Sequence, residues 1–139
     1  MELHVFTDAS ELSFAASAYL RYPIEDGYNS SLLASKSRVA PLKMLSIPRL
    51  ELQGALIGSR LVGTLETELN LPIKRKVYWT DSEIVLKYIN NPARRFKPFV
   101  ANRVAKILVN TDVSEWRHVP TDQNPADISS RGLKLRELI

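Results

Sequence analysis

Four acidic residues stand where a chain can assemble oxygen-ligand metal chemistry. Asp8 closes the alternating stretch "LHVFTD". Glu51 lies in "RLEL", at the start of a long amphipathic run. Asp81 follows "VYWT", and Asp127 follows Asn124-Pro125. Each falls at a strand end or in the first turn of an expected helix. If the first and fourth strands are neighbours and both helix starts point at their C-terminal ends, the four carboxylates converge where open sheets favour ligand sites. Gathered carboxylates repel one another unless divalent cations neutralise them. Two Mg²⁺ ions about 4 Å apart would form an in-line phosphoryl-displacement site, one activating the attacking water and the other stabilising the leaving oxygen. The chain has no cysteine and only two histidines, His4 and His118. Thiolate zinc sites and histidine-rich sites are thereby excluded, which leaves oxygen donors and Mg²⁺ or Mn²⁺.

Each acid also has a purely structural reading. Thr80-x-x-Glu83 fits a capping box, with Asp81 as a first-turn acid beside the positive end of the helix dipole. Asn124-Pro125-Ala126-Asp127 reads as cap, proline and first-turn acid. Asp8 in "DAS" suits a turn. Glu51 is harder to explain this way. It shares a helix face with Ala55, Gly58 and Val62, so it should be partly buried, and a buried charge costs several kcal/mol unless compensated. Arg49 or a metal could compensate it.

The elements that must position these residues follow from period and punctuation. Residues 3–8, 12–21 and 31–39 alternate and read as strands, with turn chemistry in "PIEDGYNS" (23–30). A helix is expected over 49–69, opened by Pro48. Then come a strand (76–80), a helix (82–90), a basic loop "NPARRFKP" (91–98), a helix (99–110), a strand (114–120) and a last short helix from Pro125. The order β-β-β-α-β-α-α-β-α predicts an α/β fold, with a mixed five-stranded sheet and helices on its faces. A length of 139 residues suits one domain, and the strand following directly on Met1 suggests a module cut from something longer. No apolar run approaches the roughly 20 residues that span a bilayer, and no targeting signal is visible.

Net charge is +4, unevenly spread. Residues 74–106 carry nine basic side chains against Asp81 and Glu83, a net +7, so the remainder is −3. A basic middle beside an acid cluster suits a polyanion, although a solvated basic surface reads the same way. Arg94, Arg95 and Lys97 could hold phosphates, and Phe96 could stack on a sugar or base or pack inward. Ser10 and Ser82 follow candidate ligands and could contact phosphate oxygens, or simply serve turns and caps. Asn102, at the next helix start, is a further substrate-binding candidate, with Arg103 beside it. Trp79 and Trp116 read as core.

"FTDAS", "RLEL", "YWTDS" and "NPAD–SSRG" occur in the order found in ribonuclease H domains. "SKSRVAPLK–LSIPRLEL", "VYWTDSEIVLKYI", "RRFKPFVANRV" and "WRHVPTDQNPAD" resemble the ribonuclease H domain of BEL/Pao-type LTR retrotransposon polyproteins, over roughly residues 3–132. The resemblance implies the ribonuclease H fold. It also implies endonucleolytic hydrolysis of the RNA strand of RNA–DNA hybrids with two Mg²⁺ ions, Mn²⁺ substituting, to leave 3′-hydroxyl and 5′-phosphate ends. The matching catalytic and metal-binding positions are Asp8, Glu51, Asp81 and Asp127. An adjacent reverse transcriptase domain, a cytoplasmic retroelement particle and a monomeric isolated domain are expected on the same ground. A degenerate, non-catalytic nucleic-acid-binding module is the rival expectation. The chain departs from many cellular members in carrying Ala9 where they have glycine, and in lacking a histidine in the loop "TDQNPA".

Overall fold

A computed structural model describes residues 1–41, 45–91 and 95–126. Five strands form one sheet. β1 (Glu2–Ala9), β2 (Ser13–Ile24) and β3 (Gly27–Val39) make an antiparallel meander. β4 (Arg75–Thr80) then runs parallel to β1, and β5 (Trp116–His118) parallel to β4. The expected mixed sheet is present, and the first and fourth strands are neighbours.

The β2–β3 hairpin is tighter than the expected eight-residue turn. Both strands continue to a two-residue connection, Glu25-Asp26, and Gly27 takes φ 141°, a conformation that side chains strain to adopt. β5 is shorter than expected because a turn of 3₁₀ helix, Val113–Glu115, occupies its first residues. Asp112 caps that turn by accepting from the Ser114 amide at 2.9 Å, while Glu115 accepts from the Asp112 amide at 2.7 Å.

Helix α1 (Ile47–Leu69) lies across β1 and β2. Pro48 takes its second position, so Glu51 stands one residue deeper in the helix than expected. The helix presses on the sheet through glycines. A Cβ on Gly54 would lie 2.8 Å from the Asp8 carbonyl oxygen, and one on Gly58 would lie 2.6 Å from Thr7 Cγ2. Leu3, Val5, Ala16, Ala18, Leu52, Ala55, Leu56 and Val62 form the core between these layers, joined by Val85 and Ile89 of α2 (Glu83–Asn90) and Val100, Val104 and Ile107 of α3 (Pro98–Asn110). None of the described helices is long and apolar enough to cross a membrane.

The opposite sheet face carries half-buried aromatic rings. Trp79 stacks between His4 and Phe6, at centroid distances of 6.1 and 6.0 Å. Trp116 instead lies in the core against Tyr78, at 4.9 Å.

Candidate active site

The C-terminal ends of β1 and β4 set the geometry. Their parallel register ends with the pair Thr7–Thr80, so Asp8, the next residue of β1, and Asp81, the first residue past β4, both follow from that paired position. Asp8 is only 4% exposed. Gly54, one turn beyond Glu51, holds α1 against the Asp8 backbone and brings Glu51 to this same end of the sheet.

Asp81 does not start the following helix. Ser82 is the N-cap of α2, accepting from the Val85 amide at 3.2 Å. The Thr80 hydroxyl accepts from the Ser82 amide at 3.1 Å, so the expected Thr80–Glu83 capping box is replaced by a Ser82 cap. Asp81 therefore lies outside the helix, with no capping duty. Buried Ser82 also stands near Glu51, close enough for its hydroxyl to favour the charged carboxylate.

Burial pushes the Glu51 carboxyl above its usual range. The nearby Ser82 hydroxyl opposes that shift, and the charge of Asp81 adds to it. Arg49 does not relieve the charge, because its guanidinium lies 4.9 Å over the Phe99 ring. Arg103 covers the same ring at 3.8 Å and donates to Gln53 Oε1 at 3.4 Å. Neither Glu51 nor Asp81 has a cationic partner among the described residues. Their donor chemistry, carboxylate oxygen in a half-buried setting that penalises like charge, fits a hard divalent cation. Among the described residues no three acidic, histidine or cysteine side chains are drawn together tightly enough to hold an ion. Asp127 lies outside the described residues, as do Arg94 and nearly all of the expected last helix.

The remaining candidates are dispersed. The Ser10 hydroxyl accepts from the Leu12 and Ser13 amides at 3.2 and 3.3 Å, which shapes the β1–β2 turn. Arg95 and Lys97 are exposed beside a cleft between the starts of α1 and α3, lined also by Pro48, Arg49, Tyr88 and Phe96. Phe96 packs inward, its ring edge-to-face on Tyr88 at 5.1 Å, rather than presenting a stacking platform. Asn102 is exposed on α3, and His118 is exposed in β5.

Two features at this end escaped the sequence reading. One is the pair of guanidinium groups on Phe99, which no local spacing announces. The other is the side chain of buried Asn124, which donates from Nδ2 to the Thr7 carbonyl at 3.0 Å across 117 residues of chain. The expected capping role of Asn124 gave only half of its contacts.

The same fold recurs in solved structures. The fold matches the N-terminal ribonuclease H domain of a Mycobacterium tuberculosis protein, with TM-score 0.65, 13% identity and 94% of each chain covered. It matches LC11-RNase H1, isolated from compost and solved in complex with an RNA/DNA hybrid, at TM-score 0.64 and 16% identity over 99% of this chain and 100% of that one. Ribonuclease H1 of the halophilic archaeon Halobacterium salinarum gives 0.58 and 14%, with 91% of each chain covered. At these identities the likeness is one of fold, and the fold is that of ribonuclease H. Residues 1–82, which contain Asp8, Glu51 and Asp81, match the model of the Pao retrotransposon-like RNaseH-like domain, and the chain belongs to that family. The search of curated proteins gives no match.

Proposed function

We propose that this domain hydrolyses the RNA strand of RNA–DNA hybrids during reverse transcription, using divalent cations held by Asp8, Glu51, Asp81 and Asp127. One observation carries the reading: two acids at the ends of adjacent parallel strands, beside a third that is half-buried and given a hydroxyl and another acid as neighbours instead of a cation. Bound Mg²⁺ or Mn²⁺ would activate water and stabilise the leaving oxygen. The chain's own part is positional. Gly54 sets the depth of Glu51 against β1, and the Ser82 hydroxyl nearby favours its charged form. Asp81, released from capping, is available as a ligand. Arg95 and Lys97, with Arg94, would hold phosphates of the hybrid, and Ser10 and Asn102 would add polar contacts to it. A hybrid is read mainly through its A-form-like shape and 2′-hydroxyls, so sequence preference should be slight.

The test is incubation with end-labelled RNA–DNA hybrid, duplex RNA and duplex DNA, each with Mg²⁺, Mn²⁺ or EDTA. Metal-dependent cleavage of the RNA strand in the hybrid alone, leaving 3′-hydroxyl ends, is the expected result. Hybrid binding without cleavage under any metal would leave the domain a nucleic-acid-binding module.

A further inference from the structure

The Asn124 side chain makes two hydrogen bonds at once. Nδ2 donates to the Thr7 carbonyl at 3.0 Å, and Oδ1 accepts from the Ala126 amide at 3.0 Å. Thr7 immediately precedes Asp8, and Ala126 immediately precedes Asp127. A single buried amide therefore joins the backbone next to the first candidate ligand to the backbone next to the last. The residue type matters. Serine, threonine, aspartate and asparagine all cap helices, but of these only asparagine presents a separate N–H donor opposite its accepting oxygen. Capping alone would leave that donor unused. The surrounding chain is held at the same level, since the Val119 amide donates to the Thr80 carbonyl at 2.9 Å. The strand ends bearing Asp8 and Asp81 are thus both tied to the segment leading to residue 127.

We propose that Asn124 is a positioning residue, whose bond to the Thr7 carbonyl locks the approach to Asp127 onto the strand that carries Asp8. This rests on the metal-dependent reading above. Partners outside a metal's ligand shell that orient its ligands typically matter by 10–100-fold in affinity or activity.

The experiment compares Asn124→Ser with Asn124→Ala. Serine keeps a neutral capping oxygen but lacks the amide that reaches Thr7, and alanine loses both. Mg²⁺ affinity is measured by calorimetry, kcat and KM on the hybrid by cleavage, and amide protection at Ala126 by hydrogen exchange. We expect Asn124→Ser to behave like Asn124→Ala: Mg²⁺ binding and kcat each reduced about tenfold, KM little changed, and exchange at Ala126 accelerated. If Asn124→Ser matches the wild type while Asn124→Ala does not, Asn124 is only a cap and the proposal is overturned. Should the wild type bind no Mg²⁺, the metal reading fails separately. Hydrogen exchange then decides the clamp, with protection retained in Asn124→Ser overturning it and protection lost upholding it.

Discussion

The two ends of the β1–β4 pair treat acidic side chains in opposite ways. At the N-terminal end, Glu2 accepts from His4 Nε2 at 3.0 Å and from Arg21 at 3.2 Å, with Arg75 at 3.7 Å. His4 Nδ1 accepts from the Trp79 indole at 3.0 Å, which assigns the other ring nitrogen as the donor to Glu2. Nearby, Glu66 pairs with Lys76 at 2.9 Å. The hydrogen bond from His4 leads the interactions that pull the Glu2 carboxyl below its usual range. At the C-terminal end, Glu51 shifts the other way, with a serine and an acid as neighbours and Arg49 and Arg103 turned to Phe99. An acid that serves the fold is given cations by the fold. An acid left without them adds cost to folding, which is expected where chemistry takes precedence over stability.

The sharpest test of this contrast is Asp81→Asn. Loss of a charged oxygen at the site should reduce hybrid cleavage at least ~100-fold, with unfolding in EDTA at an equal or higher temperature. Glu2→Gln, at the other end, should leave cleavage unchanged. Near-wild-type cleavage by Asp81→Asn would erase the distinction between the ends.

Next is the packing that delivers Glu51. Gly54→Ala drives a Cβ into the Asp8 carbonyl, so denaturant unfolding should show a loss of about 1–3 kcal/mol, with cleavage falling alongside. Gly63, on the same helix, faces open space, and a Cβ added there would meet nothing within 4 Å. Gly63→Ala should therefore gain roughly 0.5–1 kcal/mol from helix propensity. Equal effects at the two positions would mean that α1 does not set the depth of the site.

A smaller effect is expected from the exposed cations. Replacing Arg95 and Lys97 together should weaken hybrid binding and flatten its salt dependence by up to about 0.7–0.9 in slope per lost phosphate contact. Fluorescence anisotropy at several salt concentrations reads this directly, and an unchanged slope would make them solvated surface charges.

The smallest shifts are in the pH dependence of metal-free stability, and here the two ends should differ in sign. The raised Glu51 pKa means that its favourable, protonated contribution is present below the ordinary value of 4.5 and is lost as pH rises through the folded value. Glu51→Gln should melt above the wild type at neutral pH, and the gap should close on acidification. The lowered Glu2 pKa stabilises above 4.5, and that contribution is lost as pH falls through the folded value. Glu2→Gln should melt below the wild type at neutral pH, again converging in acid. Shifts of the same sign in thermal melts would refute the contrast.

Much of this was already legible in the linear chain. Alternation marked the strands, a 3.6-residue stripe marked α1, and the acids in "FTDAS", "RLEL" and "YWTDS" announced themselves by position and wording. These signals are local, because period and propensity act over a few residues. What a side chain pairs with depends on segments far away in sequence, and only the assembled sheet and its packed helices decided that. It placed β1 beside β4, gave the helix cap to Ser82 rather than Thr80, and sent Arg49 to Phe99 instead of Glu51. It also brought Asn124 to Thr7. The sequence determined which residues could do the chemistry. The tertiary structure decided which of them were left without cations, because ion pairs and buried hydrogen bonds form only where the packed backbone brings both partners within reach.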